Sequence, residues 1–174
     1  MTLFFGMRRR LFAALAFALL AGCTSTTATL EPPVPDVTNA PAAGFANVQP
    51  GSEEDFILNV GRRTYFAQGS AELDQTARVT LDNQAAWLQK HPQWLVKLQG
   101  FADDPGGDAA MVELSRRRAE AVMNYLAAAG VARDRMWAKG YGKERVVRDC
   151  ADTACKVQNR RVISNLREEK DGAA

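Results

Sequence analysis

The stretch Gly100-Phe-Ala-Asp-Asp-Pro-Gly106, together with Leu114-Ser-Arg-Arg-Arg-Ala-Glu-Ala-Val122 shortly after it, decides the fold of this chain. Before the stretch, residues 94–100 alternate apolar and polar side chains, as a half-buried strand does. After it, residues 108–129 place apolar side chains along one side of a helix, and Gly130 is suited to end that helix. The stretch is therefore predicted to be the loop that joins a strand to a helix.

Further strand and helix patterns flank this unit on both sides. Short strand patterns occur at residues 55–60, 64–66, 134–140 and 161–166. A helix that Asp74 caps and that ends before Pro92 lies between the strands at 64–66 and 94–100. The order predicts an α/β domain, an α+β sandwich of βαβαβ type, in which a mixed sheet carries the helices on one face.

The N-terminus has the pattern of an export signal. Three arginines at 8–10 precede an uncharged apolar run over residues 11–21, which is too short to remain in a bilayer as a spanning helix. The run ends in Leu20-Ala-Gly-Cys23, which resembles the bacterial lipobox. We therefore expect residues 1–22 to be a lipoprotein signal peptide and Cys23 to carry the lipid. The alternative is an ordinary signal peptide with a cysteine nearby.

Removal of residues 1–22 also changes the charge of the chain. It removes three arginines and no acidic residue, so the net charge falls from +2 to −1. The sequence contains no run of five or more like charges. Neither feature favours a nucleic-acid partner, and none is expected.

Two cysteines remain once Cys23 is assigned to the lipid. In an exported chain, Cys150 and Cys155 favour an intramolecular disulfide that would stiffen one loop. A metal site is the competing interpretation, but it needs further ligands, and His91 is the only histidine. We expect no metal and no cofactor.

The chain divides into a tether and one domain. Residues 23–51 are rich in Pro, Ala and Thr and carry almost no charge, so we expect a disordered tether behind the lipidated cysteine. Residues 52–167 have the size and the periodic apolar positions of a single domain. Residues 168–174 are expected to form a short disordered tail.

The motifs at the centre of this domain resemble those of the OmpA-like family. The family pattern is a strand end Gly-His/Tyr-Ala/Thr-Asp-x-x-Gly, then a helix with Asn-x-x-Leu-Ser-x-x-Arg-Ala-x-x-Val, and residues 100–106 and 111–122 follow it. Further agreement comes from Tyr65-Phe66, Gly140-Tyr-Gly-Lys-Glu144 and Gln158-Asn-Arg-Arg-Val162. With the lipobox, the tether and the lead-in at 51–56, the resemblance narrows to the peptidoglycan-associated lipoproteins (Pal). It implies a lipoprotein on the periplasmic face of the outer membrane that ties this membrane to the cell wall within the Tol–Pal system.

The resemblance also implies a binding site. The ligand of the family is the diaminopimelate side chain of the peptidoglycan stem peptide, which carries an ammonium and a carboxylate on one carbon. By the motif, Asp103 takes the ammonium, and Arg118 pairs with the carboxylate through two hydrogen bonds. The other implied contact residues are Phe66, Phe101, Ala102, Leu114 and Arg160. Alanine at Asp103 or Arg118 is expected to weaken binding and to leave the fold intact.

This sequence departs from the family pattern at several supporting positions. Phe101 replaces the usual His, Met111 replaces the usual Asn, and Pro105 replaces a residue that is often Arg. Residues 67–69 replace an acidic stretch. The aspartate and the arginine of the motif are kept, so the resemblance implies binding that is retained but weakened, or tuned to a different wall or partner.

Other interpretations of these residues compete with wall binding. Arg118 could belong to a solvated helix face, and Arg160 could form a structural salt bridge. Catalysis lacks support because Asp103 and Asp104 are neighbours on an extended chain and cannot flank one glycosidic bond. The remaining rival is an OmpA-like lipoprotein that acts mainly through a periplasmic protein, such as a TolB-like partner.

Overall fold

The computed structural model describes residues 48–147 and 152–171. Their helices are α1 (Glu53–Asp55), α2 (Gln75–Lys90), α3 (Asp108–Ala128) and α4 (Thr153–Lys156), with a π-helical turn at Phe56–Val60 and a 3₁₀ turn at Arg133–Arg135. The strands are β1 (Arg63–Tyr65), β2 (Leu95–Gly100), β3 (Met136–Gly140) and β4 (Arg161–Arg167).

The four strands form one mixed sheet in the order β1-β4-β2-β3. Strands β2 and β3 are parallel and are connected by α3, whereas β4 is antiparallel to both of its neighbours. One face of the sheet shares a hydrophobic core with α2 and α3, and the members of this core include Phe56, Leu81, Trp87, Leu88, Val96, Leu98, Val122, Leu126, Val162 and Leu166. The expected mixed sheet with helices packed on one face is confirmed.

The two long helices begin and end where local sequence signals predict. The Asp74 carboxylate accepts a hydrogen bond of 2.8 Å from the backbone N–H of Ala77, which caps the N-terminus of α2. After α3, Gly130 adopts a positive φ of 94°, and the N–H of Val131 donates to the carbonyl of Leu126. Short-range chemistry therefore fixes both boundaries.

The expected strand at 55–60 is wrong, because these residues are helical. Ser52 caps the segment by accepting a hydrogen bond from the N–H of Asp55, and the segment closes at Gly61, whose φ is 86°. The Asp55 carboxylate also accepts a hydrogen bond of 2.8 Å from Trp87 of α2. A six-residue, mostly apolar run fits a strand and a short helical turn equally well, and here the cap and the contact with α2 decide for the helix.

Helix α3 lies unusually close to the sheet at the carboxyl ends of β2 and β3. A Cβ atom at Gly100 would lie 1.9 Å from the carbonyl oxygen of Ser115, and one at Gly140 would lie 2.6 Å from the N–H nitrogen of Arg116. Ser115 Oγ accepts a hydrogen bond of 2.9 Å from the N–H of Gly142. These contacts hold the middle of α3, and therefore Arg118, directly against the end of the sheet.

Candidate ligand-binding site

Three of the predicted site residues lie in one row across the end of the sheet. Beyond the strands, Phe66 still pairs with Arg160, since its N–H donates to the Arg160 carbonyl at 2.9 Å, and Phe101 likewise pairs with Arg161. The antiparallel register then places Ala102 opposite Arg160. Because side chains alternate along strands, Phe66, Ala102 and Arg160 share the helix-covered side. Arg118 reaches the same place from α3, with its guanidinium carbon 5.4 Å from the centre of the Phe66 ring.

The Arg118 side chain is fully buried, with 0% of its surface exposed. Its guanidinium makes a two-point ion pair with Asp104, in which Nη1 lies 2.9 Å from Oδ2 and Nη2 lies 3.2 Å from Oδ1. It also donates to the backbone carbonyls of Ser70 at 2.8 Å, Ala67 at 3.0 Å and Phe101 at 3.4 Å. These five hydrogen bonds equal the five N–H donors of a guanidinium, so a ligand can bind Arg118 only by displacing one of them.

Asp104 fixes the loop that covers this arginine. Besides its ion pair, its Oδ1 accepts a hydrogen bond of 2.6 Å from the N–H of Gly69. The carboxylate is nearly as buried as its partner, with 2% of the side chain exposed. Asp104 therefore ties residues 67–70 and 101–106 together around Arg118.

Asp103 stands in a different environment from its neighbour. It is partly exposed, and its Oδ2 accepts a hydrogen bond of 2.8 Å from Asn159 Nδ2. Among the described residues it forms no ion pair. The carboxylate is thus oriented by one amide and retains its capacity to bind a cation.

Arg160 is buried, with 4% of its surface exposed, and its Nε has no hydrogen-bond partner among the described residues. None of the ion pairs among the described residues involves it. A buried guanidinium without an acidic partner is costly, and such a group favours an incoming anion. The competing expectation for Arg160, a structural salt bridge, finds no partner in the described part of the chain.

Phe101 lies on the opposite side of the sheet from Phe66, Ala102 and Arg160. Its ring stacks on Tyr141 with 5.6 Å between centroids, and the guanidinium carbon of Arg161 lies 4.4 Å from its centroid. Only 3% of Phe101 is exposed. Its side chain therefore packs between these two neighbours and points away from Arg160 and Arg118.

Leu114 and Met111 of α3 pack against the loop that follows β2. Together with Ala102 they form a small apolar cluster, and all three are at least 95% buried. The Met111 methyl group would lie 3.3 Å from a Cβ placed on Gly106, so it fills the space beneath the loop. Apolar packing holds the loop here, at the position where the family pattern has an asparagine.

Two contributors, Asp104 and Asn159, were missed by the prediction of contact residues. In the sequence Asp104 is only the neighbour of Asp103, and nothing local indicates its buried ion pair with Arg118 of α3. Asn159 belongs to the quoted stretch 158–162, but nothing local indicates that its amide reaches Asp103 across 56 positions of sequence.

The predicted lipid and disulfide positions are largely beyond the described residues. Cys23 and Cys150 lie outside them. Cys155 takes part in a disulfide. Because its partner lies outside the described residues, the pairing with Cys150 stays a prediction. Within residues 48–147 and 152–171, no helix is long and apolar enough to cross a membrane. The same residues contain no group of three or more side chains suited to hold a metal ion.

The fold and the site together define a small α/β domain with oppositely charged side chains gathered at one end of a mixed sheet. The sequence pattern of the OmpA family matches residues 65–160, and the chain belongs to the OmpA family.

Several relatives of the chain within that family are lipoproteins. It is 38% identical to the peptidoglycan-associated lipoprotein of Rhizobium meliloti over 160 residues, which are 91% of this chain and 88% of the relative. It is 39% identical to the protein of the same name from Agrobacterium fabrum over 123 residues, 71% of this chain and 70% of the relative. The crystal structure of the peptidoglycan-associated lipoprotein from Burkholderia pseudomallei matches with a TM-score of 0.62 at 30% identity, covering 67% of this chain and 100% of that one.

Proposed function

We propose that this chain is a lipid-anchored protein on the periplasmic face of the outer membrane that binds peptidoglycan non-covalently. The names of the relatives support this role, and so do the lipobox at Leu20–Cys23 and the expected tether. The protein would tie the membrane to the wall by binding, without catalysis. We further propose that it acts as the Pal component of a Tol–Pal system, with a TolB-like protein as a periplasmic partner.

The observation that carries the proposal is a pair of opposite charges near one end of the sheet, neither of which has a counter-charge among the described residues. Within residues 48–147 and 152–171, Asp103 has an amide partner but no cationic one, and Arg160 is buried without an acidic partner. Both residues lie near the same end of the sheet, because Asn159, which donates a hydrogen bond to Asp103, is the residue before Arg160. A zwitterion with an ammonium and a carboxylate on one carbon satisfies both groups at once, which is the chemistry at the free end of diaminopimelate.

The roles of the two arginines follow from their hydrogen bonds. The sequence motif assigns the ligand carboxylate to Arg118, but every donor of that guanidinium is engaged. We therefore propose that Arg160 is the first to receive the carboxylate. Arg118 holds Asp104 and the covering loop in place, and it would reach the ligand only if Asp104 gave way.

Co-sedimentation with purified sacculi tests the proposal. The protein is the mature chain with Cys23→Ser, which removes the lipid but keeps the tether and the domain. Asp103→Asn and Arg160→Gln should each weaken binding by about 2–5 kcal/mol, because each leaves one ligand charge unpaired in a partly desolvated site. Arg117→Gln is the matched control, since Arg117 is exposed on α3 and its loss removes the same charge. Circular dichroism verifies that each variant is folded.

Two ligands separate the proposed recognition from general attraction to the wall. Muropeptides with diaminopimelate should bind, and muropeptides with lysine at that position, which lack the second carboxylate, should not. The assignment to Asp103 and Arg160 is abandoned if both variants sediment like the wild type. If the wild type itself does not sediment, the rival function through a protein partner replaces wall binding.

A further inference from the structure

The sheet has a second face, which α2 and α3 leave open. Alternate residues of the four strands stand on it. The strands contain five cationic residues and no acidic one, and the register places all five on this open face: Arg63, Lys97, Lys139, Arg161 and Arg167. The whole chain has a net charge of only +2. The positive charge is therefore concentrated on one surface of the domain and is not a general property of the chain.

Aromatic side chains are interleaved with these cations. Tyr65 is 39% exposed, and Trp137 and Tyr141 are partly exposed on the neighbouring strand positions. The amines of Lys97 and Lys139 lie 5.9 Å and 5.1 Å from the centre of the Tyr141 ring. Tyrosine, tryptophan and arginine are the residue types that contribute most to protein interfaces.

The cations on the open face also perturb their neighbours. Burial raises the pKa of the Tyr141 hydroxyl, but hydrogen bonds with Lys97 and Gln99 and the charge of Lys139 outweigh it, so this pKa lies below its ordinary value. Burial lowers the pKa of Arg161, and the charge of Arg63 lowers it further. The face is thus under positive potential, and an incoming acidic group would relieve the repulsion.

A carboxylate from a peptide segment already lies on this face. Asp171, four residues beyond the end of β4, forms an ion pair with Lys97, and Trp137 Nε1 donates to the same carboxylate at 3.4 Å. The Lys97 side chain is only 11% exposed, whereas that of Asp171 is 50% exposed. The nearly buried Lys97 therefore accepts a carboxylate from a side chain that reaches it from outside the sheet.

We propose that the open face docks an acidic segment of a partner protein, whose carboxylates bind Arg63, Lys139 and Arg167 and compete with Asp171 for Lys97. A membrane is the weaker occupant. Of the large apolar side chains that the described residues expose, only Tyr65 belongs to this face, and the others are Leu58, Val79, Val112, Val146, Val147 and Val157. Apart from its aromatic rings, the described part of the face exposes no large aliphatic side chain to insert into lipid.

This docking surface is independent of the proposed wall site. Arg160 belongs to the row on the helix-covered side, and Asp103 lies three positions beyond the end of β2, whereas Arg63, Lys139 and Arg167 stand on the strands themselves, on the open face. The partner and the wall ligand can therefore bind at the same time. Failure of one site leaves the other intact, which makes the two proposals separately testable.

The probe is a decaglutamate peptide titrated into the ¹⁵N-labelled mature chain with Cys23→Ser. Amide shifts should concentrate on β1, β4, β2 and β3. The triple charge reversal Arg63→Glu, Lys139→Glu and Arg167→Glu should weaken binding at least about tenfold. The control is a second triple reversal with the same change in net charge at exposed positions elsewhere, Lys90→Glu, Arg117→Glu and Arg133→Glu, and it should change the affinity by less than about twofold.

Asp171→Asn provides a further readout. Removal of this internal carboxylate frees Lys97 and should tighten decaglutamate binding by about threefold or more. Equal losses for the two triple variants would reduce the effect to general charge attraction and overturn the proposal. A second result would also overturn it: the wild type binds phosphatidylglycerol vesicles but not the peptide, and the triple reversal on the open face abolishes the vesicle binding. Sacculus binding of the face variant should equal that of the wild type.

Discussion

The guanidinium of Arg118 and the carboxylate of Asp104 form a two-point ion pair inside the domain, with 0% and 2% of the two side chains exposed. The pair joins α3 to the loop after β2, and through Gly69 it also holds residues 67–70. The motif marks Arg118 for the ligand, whereas the structure engages all its donors internally. The expectation that Arg118→Ala leaves the fold intact therefore changes.

Arg118→Ala should lower the free energy of unfolding by about 3–5 kcal/mol, because it leaves Asp104 buried without its counter-charge. Urea denaturation followed by circular dichroism measures the loss. Arg117→Ala, one position away and exposed, should change it by less than about 0.5 kcal/mol. The double variant Asp104→Leu with Arg118→Met should recover part of the loss, since no buried charge then remains unpaired. A cost below about 1 kcal/mol for Arg118→Ala would contradict the structural role.

Gly100→Ala should disrupt the contact between α3 and the sheet. Its Cβ would lie 1.9 Å from the Ser115 carbonyl oxygen, so the helix or the strand must move. We expect a loss of about 3 kcal/mol in the free energy of unfolding and weaker sacculus binding, because Arg118 moves with α3. Gly107→Ala is the control, since a Cβ there meets no atom of the described residues within 4 Å. Similar effects of the two alanines would show that close approach at Gly100 is unimportant.

The lead-in helix should lose stability in acid through Asp55. Hydrogen bonds from Asn59, from the Gly51 N–H and from Trp87 hold the pKa of Asp55 below its ordinary value of 3.8. A lowered pKa in the folded state means that the stabilisation is present above the ordinary value and is lost as the pH falls through the folded-state pKa. Asp55→Asn should lower the free energy of unfolding by about 1 kcal/mol near neutral pH. The difference in stability from the wild type should shrink as the pH falls below 3.8 and through the lowered folded-state pKa.

Chemical denaturation over a pH series measures this effect of Asp55. Glu54→Gln serves as control, because Glu54 is exposed and its side chain makes no hydrogen bond within the described residues. A difference between wild type and Asp55→Asn that stays constant down to the acid limit would exclude Asp55 as the titrating group.

The disulfide prediction can be checked by thiol labelling of the oxidised, denatured mature chain. We expect no reactive thiol from Cys150 or Cys155. Reduction should lower the free energy of unfolding by only about 2 kcal/mol, because the closed loop is short. Labelling of both thiols before reduction would rule out the pairing.

The lipid prediction concerns Cys23. Mass spectrometry of the mature protein should find residues 1–22 removed and three acyl chains on the new N-terminus, which would hold the protein on a membrane. Cys23→Ser should prevent both changes in the cell. An intact chain with a free Cys23 thiol would be incompatible with the lipoprotein assignment.

The sequence by itself determined the features that depend on short-range chemistry. The cap at Asp74, the stop at Gly130 and the apolar periodicity of α2 and α3 involve residues within one or two turns of each other, so they are readable in one dimension. The order of motifs from Tyr65 to Val162 was sufficient to predict the mixed sheet with helices on one face. The family resemblance named Phe66, Ala102, Arg118 and Arg160 as site residues, and the tertiary structure brings them to the end of β2.

The tertiary structure alone decided how the side chains at that end are paired. Asp103 and Asp104 are adjacent in sequence, yet only Asp104 meets Arg118, because a loop residue turns towards whichever partner the packed helix presents. Phe101 faces Tyr141 and Arg161 because strand alternation at the sheet's end puts it on the open side. Burial and hydrogen bonding depend on contacts across 14 to 56 positions of sequence, as for Arg118 with Asp104 and Asn159 with Asp103, and no local pattern encodes such contacts.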